Sequence, residues 1–350
     1  MGNKDGSHKL MKKKLLPQKS HMNKISGWHQ PAKKTTEGGK MRIYDLMENW
    51  LQAKKSEVKQ STFELYKYQV QHYIKPHVKN EPCFKVCTET IESLLNILHI
   101  LIEENRLKVS TSNNLIVRIN QILSYGNKYG YIKKQIKLKK IKQKKSKEVD
   151  ILQKSAIKKL HSHLIKNLTG KNFGILLCLY TGLRIGELCA LKWSDIDTTQ
   201  GIITIRKTMQ RINRITDAEN SKRTQIIISS PKTQNSLRQI PLPVQLNNFI
   251  RKIKGQENTF ILTNSEKFFE PRSFRRYYTN TCKKLSINGE HVHTLRHTFA
   301  TFLIQNGTDY KTVSEILGHS NIKITLDLYV HPSIEEKKKC ISSLFKQISG

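Results

Sequence analysis

From Arg42 onward the chain sets apolar side chains at helical intervals through IYDLMENWLQAKKSEVKQSTFELYKYQVQHYIKPHV, with Ser61 and Thr62 placed to cap the helix that follows. TIESLLNILHILIEENR and STSNNLIVRINQILSYGNKYG repeat the pattern, which predicts a small helical domain over residues 41–130. The run KKQIKLKKIKQKKSKEVD then interrupts it. Lysine-dense, free of Gly and Pro and without a core stripe, it reads as a basic linker over residues 131–150. Helical periodicity resumes near Ile151 in LQKSAIKKLHSHLIKN and in the apolar NFGILLCLYTG. GIITIRKTMQRI and QIIISSPKTQNSLRQIPLP alternate with period two and end in turn residues, so they predict a small antiparallel sheet. SFRRYYTNTCKKL, HTLRHTFATFLIQNG, DYKTVSEILGHS and ITLDLYV return to helix, giving a second domain over residues 151–340. In the tail, residues 341–350, Ile341, Leu344, Phe345 and Ile348 form an apolar stripe that either packs on its own domain or docks on a neighbouring protomer. The expected fold class is mainly α, in two domains, with a small antiparallel β-sheet.

Charge narrows the partner. The 350 residues carry 62 Lys+Arg against 27 Asp+Glu, a formal net charge of +35. An excess of that size repels itself unless a polyanion is present, which makes nucleic acid the leading candidate. Residues 1–40 hold ten lysines and two acids with no apolar periodicity, and they read as a flexible basic arm. Tyr66 and Lys67, on a helix where tyrosine and lysine interleave, are candidate DNA contacts, although such residues also serve as ordinary amphipathic cover. No apolar run approaches the roughly 20 residues of a spanning helix, and the N-terminus has no apolar stretch of signal-peptide length. A cytoplasmic protein is therefore expected, nucleoid-associated when bound to DNA. The six cysteines, Cys83, Cys87, Cys178, Cys189, Cys282 and Cys340, are scattered, and Cys83 and Cys87 do not make a C-x-x-C pair. They are expected to be reduced and mostly buried. No cofactor or metal is called for.

Four stretches are dense in Arg, His, Lys and Tyr: YTGLRIGELCALKWSDID, SSPKTQNSLRQIPL, HTLRHTFAT and ILGHSNIKITLDLYVH. Each alone is a weak signal. Together, in order and spacing, they resemble the tyrosine recombinase (phage integrase) family over residues 151–331, and the helical domain before them fits that family's core-binding domain in position and size. The resemblance assigns Arg184 to the first catalytic arginine, Glu187 to a supporting acid, and Lys232 to the lysine of a β-hairpin. His293 and Arg296 match an H-x-x-R pair, His319 the next position, and Tyr329 the nucleophile. It implies a C-shaped clamp on double-stranded recombination sites and a homotetramer at synapsis, with accessory DNA-bending proteins as possible partners. The basic arm favours an integrase of a phage or conjugative element. The alternatives are a type IB topoisomerase-like relaxing enzyme and a non-catalytic DNA-binding protein derived from a recombinase.

Physical chemistry supports those roles on its own terms. A phosphodiester is anionic and a poor electrophile, and its cleavage requires removal of on the order of 20 kcal/mol from the barrier. Arg184 and Arg296 can each present a planar fork to the nonbridging oxygens as charge grows on them. His293 and Arg296 are three apart, hence on one face of a helix. His319 and Tyr329 are ten apart, which places the histidine in the Gly318 turn and the tyrosine on the next helix. A phenol with a pKa near 10 is scarcely ionised at neutral pH and needs help to attack; His293 is the expected base, with His319 donating to a phosphate oxygen and Lys232 protonating the leaving deoxyribose oxygen. Tyr180, His291, His297 and His331 read as structural residues or as neighbours that support the catalytic groups. Lys192 and Arg238 are expected to touch backbone phosphate.

Overall fold

A computed structural model describes residues 41–86, 88–142, 150–214, 224–231, 234–289, 291–329, 334, 338 and 341–342. The basic arm, Lys232, His331 and all but the first two residues of the tail lie outside them.

The first unit is helical because its apolar positions recur on one face per helix. α1 (Ile43–Glu57) buries Ile43, Leu46, Met47, Trp50 and Leu51, with Asp45 in its first turn and Lys54 and Lys55 in its last, matching the helix dipole. α2 (Gln60–Gln69) begins one turn earlier than its sequence suggested. Lys59 is extended and its carbonyl takes the N–H groups of Thr62 and Phe63, so Ser61 and Thr62 lie inside the first turn and do not cap it. A π-turn (Val70–Ile74) continues the helix and buries Val70 and Ile74. α3 (Thr88–Glu103) and α4 (Val109–Lys128) close the core, in which Leu46, Trp50, Leu94, Leu98, Leu115 and Ile116 meet.

The lysine-rich segment that follows is no free linker over its first half. Ile132 and Leu138 are buried in the same core, with Ile136 and Ile141 packed against it. The side-chain amides of two α4 asparagines hold its backbone: Asn120 exchanges hydrogen bonds with Leu138, at 2.8 and 3.0 Å, and Asn113 with Ile141, at 2.8 and 3.0 Å. Apolar residues spaced between lysines had disguised an extended strap fastened by side chains.

The second unit is built round α6 (Gly170–Thr181), which is apolar on every side and buried from Asn172 to Leu179. The Thr169 hydroxyl caps its start, accepting from the Asn172 N–H, and Gly182, left-handed at φ 63°, ends it. α5 (Lys154–Lys166), the short α7 (Ile185–Ala190), α8 (Val244–Ile253), α9 (Pro271–Lys284) and α10 (Val292–Gln305) surround it, with Trp193, Phe274, Tyr278 and Leu295 in the shared core.

The expected single sheet is two. β1 (Ile196–Asp197), β2 (Ile202–Ile205) and β5 (Arg238–Pro241) pair antiparallel in the order β1-β2-β5, with Ile203 opposite Ile240. β3 (Thr208–Asn213) and β4 (Thr224–Ser229) form a separate hairpin, Met209 opposite Ile228. The GIITIRKTMQRI run thus splits at Arg206–Lys207 into strands of different sheets. Gly186 lets α7 lie on β3, since a Cβ there would stand 2.6 Å from the Thr208 hydroxyl and 2.7 Å from the Met209 carbonyl oxygen. α11 (Tyr310–Leu317) and α12 (Ile322–Tyr329) pack with α10 round a small cluster of Ala300, Val313 and Leu317.

The two units touch where Lys59, at the head of α2, donates through Nζ to the carbonyls of Ser230 and Pro231, at 3.2 and 2.8 Å.

Candidate active site

The site grows from the end of one helix. The last carbonyls of an α-helix have no partner within it. At the end of α11 each of three such groups receives an arginine: Arg238 Nε donates to the Ile316 carbonyl at 2.6 Å, Arg296 to Leu317 at 2.8 Å and Arg184 to Gly318 at 2.7 Å. These arginines come from β5, from α10 and from the residue before α7. Gly318 turns the chain in the left-handed region, φ 65°, and a Cβ at this position would lie 2.9 Å from the Asn235 carbonyl oxygen and 3.0 Å from the Arg238 guanidinium. Only glycine passes there.

Glu187 binds two of the three guanidiniums. Its carboxylate accepts from Arg184 at 2.9 Å and from Arg238 at 3.0 and 2.9 Å, and one oxygen also accepts the Arg184 N–H. Burial of Glu187 pushes its pKa upward, yet Arg238 and Arg184 outweigh that and hold it below the ordinary carboxylate value. Arg296, 4% exposed, also donates to the Gly182 carbonyl at 2.7 Å. Desolvation, with repulsion from Arg184, pulls its pKa down to about 9.

The histidines and the tyrosine occupy the adjoining faces. His319, in the Gly318 turn, is buried, with Nδ1 2.8 Å from the Thr325 hydroxyl. Burial and then the three neighbouring arginines lower its pKa to about 4, so the ring is neutral. Tyr329 closes α12, its ring packed on the Ala300–Val313–Leu317 cluster. Burial raises its pKa, an effect that Arg296 and Arg184 partly offset.

Several sequence expectations are corrected. The imidazole at the Tyr329 hydroxyl is His297, Nδ1 to oxygen 2.7 Å, and not His293. His293 lies one turn back on α10, its ring 6.3 Å from that of His297, and lines a pocket with Asp150, Arg275 and His291. The histidine in contact with the phenol is therefore one helical turn on from the expected base, and it is His297, expected as a structural or supporting neighbour; its i+4 spacing from His293 in HTLRHT was the available signal. Arg238 does not face phosphate. Its side chain is 6% exposed and committed to Glu187 and Ile316. Tyr66 is likewise engaged internally, stacked on Trp50 at 5.6 Å with the Arg118 guanidinium 3.5 Å from its ring centre. Lys192 carries its ammonium over Phe260, at 5.2 Å, and Lys67 is half-buried on α2. Tyr180 packs edge-on to His161.

Comparison with known proteins gives the family. Residues 145–336 match the phage integrase family, and residues 43–98 match the phage integrase N-terminal SAM-like domain. The chain belongs to the phage integrase family. It is a tyrosine recombinase, an enzyme of site-specific DNA recombination. The tyrosine recombinase XerC-like protein of Caldanaerobacter subterraneus subsp. tengcongensis is 29% identical over 334 residues, 86% of this chain and 82% of its own length. The ICEBs1 integrase of Bacillus subtilis is 28% identical over 177 residues, 47% of this chain and 45% of the relative. Among solved structures, the Tn1549 transposon integrase in complex with transposon right end DNA superposes with a TM-score of 0.70 at 20% identity, covering 87% of this chain and 99% of that one. The lambda integrase tetramer bound to a Holliday junction gives 0.60 at 18% identity, over 85% and 80% of the two chains. At these identities the likeness is one of fold.

Proposed function

We propose that this recombinase integrates and excises a mobile element by cutting DNA through Tyr329, which attacks a phosphodiester to leave a 3′-phosphotyrosine and a free 5′ hydroxyl. The observation that carries the reading is the gathering of Arg184, Arg296, His319 and Tyr329 at one helix end, although they come from distant parts of the chain. Arg184, with 33% of its side chain exposed, presents the accessible guanidinium to a nonbridging oxygen, and Arg296 presents the buried one. Glu187 and Arg238 hold Arg184 and the α11 terminus in place. In this reading the Thr325 hydroxyl donates to Nδ1 of neutral His319, whose proton then sits on Nε2 and is offered to the phosphate. Lys232, following the family resemblance, protonates the leaving 5′ oxygen. Energy of the broken ester is kept in the phosphotyrosine, so a 5′ hydroxyl from another strand reverses the step without ATP.

The partner is double-stranded DNA carrying recombination sites, bound by both units and brought together as a homotetramer, with accessory bending proteins assisting. The Tn1549 and lambda relatives, whose structures contain DNA, support this, as does the net charge of +35. Likeness to the ICEBs1 and Tn1549 integrases supports a mobile element as the substrate.

The test is covalent capture. Wild-type protein and Tyr329→Phe are incubated with randomised nicked duplexes and denatured, and any attached DNA is sequenced. Adducts are expected with the wild type alone, while both proteins bind DNA in a salt-sensitive way. An adduct that persists in Tyr329→Phe would move the nucleophile elsewhere.

A further inference from the structure

Tyr329 is held differently from what the H-x-x-R pair suggested. Its ring is fixed by apolar contacts with the Ala300–Val313–Leu317 cluster, but such contacts do not direct a hydroxyl. Direction comes from His297, whose Nδ1 lies 2.7 Å from the phenolic oxygen. The two rings are tilted by 53° with centroids 5.7 Å apart, so the contact joins nitrogen to oxygen and is not a stack.

The placement of His297 links two functions. It follows Arg296 directly on α10, and the Arg296 guanidinium binds the Gly182 and Leu317 carbonyls. Arg296, to which the proposed function gives the phosphate, and the group that aims the phenol therefore share one rigid helix, so the attacking oxygen and the electrophile are referenced to the same frame. Holding such a geometry within a fraction of an ångström is worth a large part of a rate enhancement.

We propose that His297 is a positioning residue for strand cleavage, accepting the Tyr329 O–H through Nδ1 and aiming the oxygen at the phosphate held by Arg184 and Arg296. Burial and then the neighbouring His293 and Arg296 hold the imidazole at a pKa of about 4, neutral and able to accept. A base so weak does not deprotonate a phenol whose own pKa is raised, so the bond directs the hydroxyl and does not ionise it.

The inference rests on Tyr329 being the nucleophile, and its test separates the two claims. Single-turnover cleavage is measured on a nicked duplex chosen from those that the wild type captures. Three variants are compared: His297→Ala, His297→Asn, whose amide oxygen takes the place of Nδ1, and His297→Gln, whose amide reaches the place of Nε2. Cleavage at saturating DNA should fall on the order of tenfold in His297→Ala, the scale of one lost directing hydrogen bond, with the half-saturating DNA concentration unchanged. His297→Asn should recover most of the rate and His297→Gln should not. Equal rates in the Asn and Gln variants, at any level, would overturn the proposal, and that comparison stands even where His297→Ala folds poorly. Absence of adducts from the wild type, or their persistence in Tyr329→Phe, would refute the nucleophile assignment, and with it this proposal.

Discussion

At the scale of single residues, Arg238 shows how a site is kept in register by groups that do no chemistry. Its guanidinium fills the space between Glu187 and the Ile316 carbonyl, and both it and the carboxylate are nearly inaccessible. Replacing it by leucine leaves Glu187 with Arg184 as its remaining charged partner in a dry pocket. Removing one member of a buried pair typically costs about 3–5 kcal/mol. Arg238→Leu is expected to lower the urea midpoint by a corresponding amount and to slow adduct formation, both measurable on the purified protein; unaltered stability would show that Arg184 alone satisfies Glu187. This residue was hard to read from sequence because an arginine in a basic protein looks like a phosphate contact. Its acidic partner is 51 positions away. Arg184, Arg296, His319 and Tyr329 stood out in the sequence through the family resemblance of their motifs, and the fold brings them together, whereas the contact that singles out His297 from His293 depends on how α10 is rotated against α12.

At the scale of elements, the helices were readable wherever an apolar face repeats, and α1, α4, α9 and α10 lie where periodicity put them. Strand partners were less so. Period-two alternation marks a strand but carries nothing about which sheet it joins, so the break at Arg206–Lys207 was invisible. The strap after α4 was misread for a related reason: Leu138 and Ile141 are fastened by Asn120 and Asn113, and such side-chain-to-backbone clasps leave no periodic mark. The junction of α7 with β3 gives a direct test. Gly186→Ala would drive a methyl group into the Met209 carbonyl, a backbone atom that cannot swing aside. Overpacking of this kind usually costs about 1–3 kcal/mol. The expected result is a lower melting temperature, with weaker cleavage because α7 also carries Glu187; an unchanged melting temperature would mean that the hairpin yields freely.

At the scale of the whole molecule, acid should loosen the catalytic unit. His297 and His319 titrate near 4 when folded and near 6.5 when unfolded, so between those values the unfolded chain binds more protons and stability falls as pH falls. Glu187 acts in the same direction, since its lowered pKa contributes stability that is lost as pH drops through the folded value. Urea unfolding at a series of pH values should therefore show a steady decline from about pH 6.5 to about pH 4, less steep in His297→Asn. A flat profile would contradict the buried, neutral state of both rings.

The meeting of three arginines on the last turn of α11 also bears on how the protein comes into being. Arg184 and Gly318 are separated by 134 positions, so the pocket round Arg184 stays unfinished during synthesis until the ribosome has delivered α11. Until then the guanidiniums of Arg184, Arg238 and Arg296 lack the α11 carbonyls that hold them, and the nucleophile is not yet made. A nascent chain thus has no cutting competence to misdirect at the nucleic acid around it, and a frameshift between Arg296 and Ile316 leaves three arginines without their α11 partners in place of a partial enzyme.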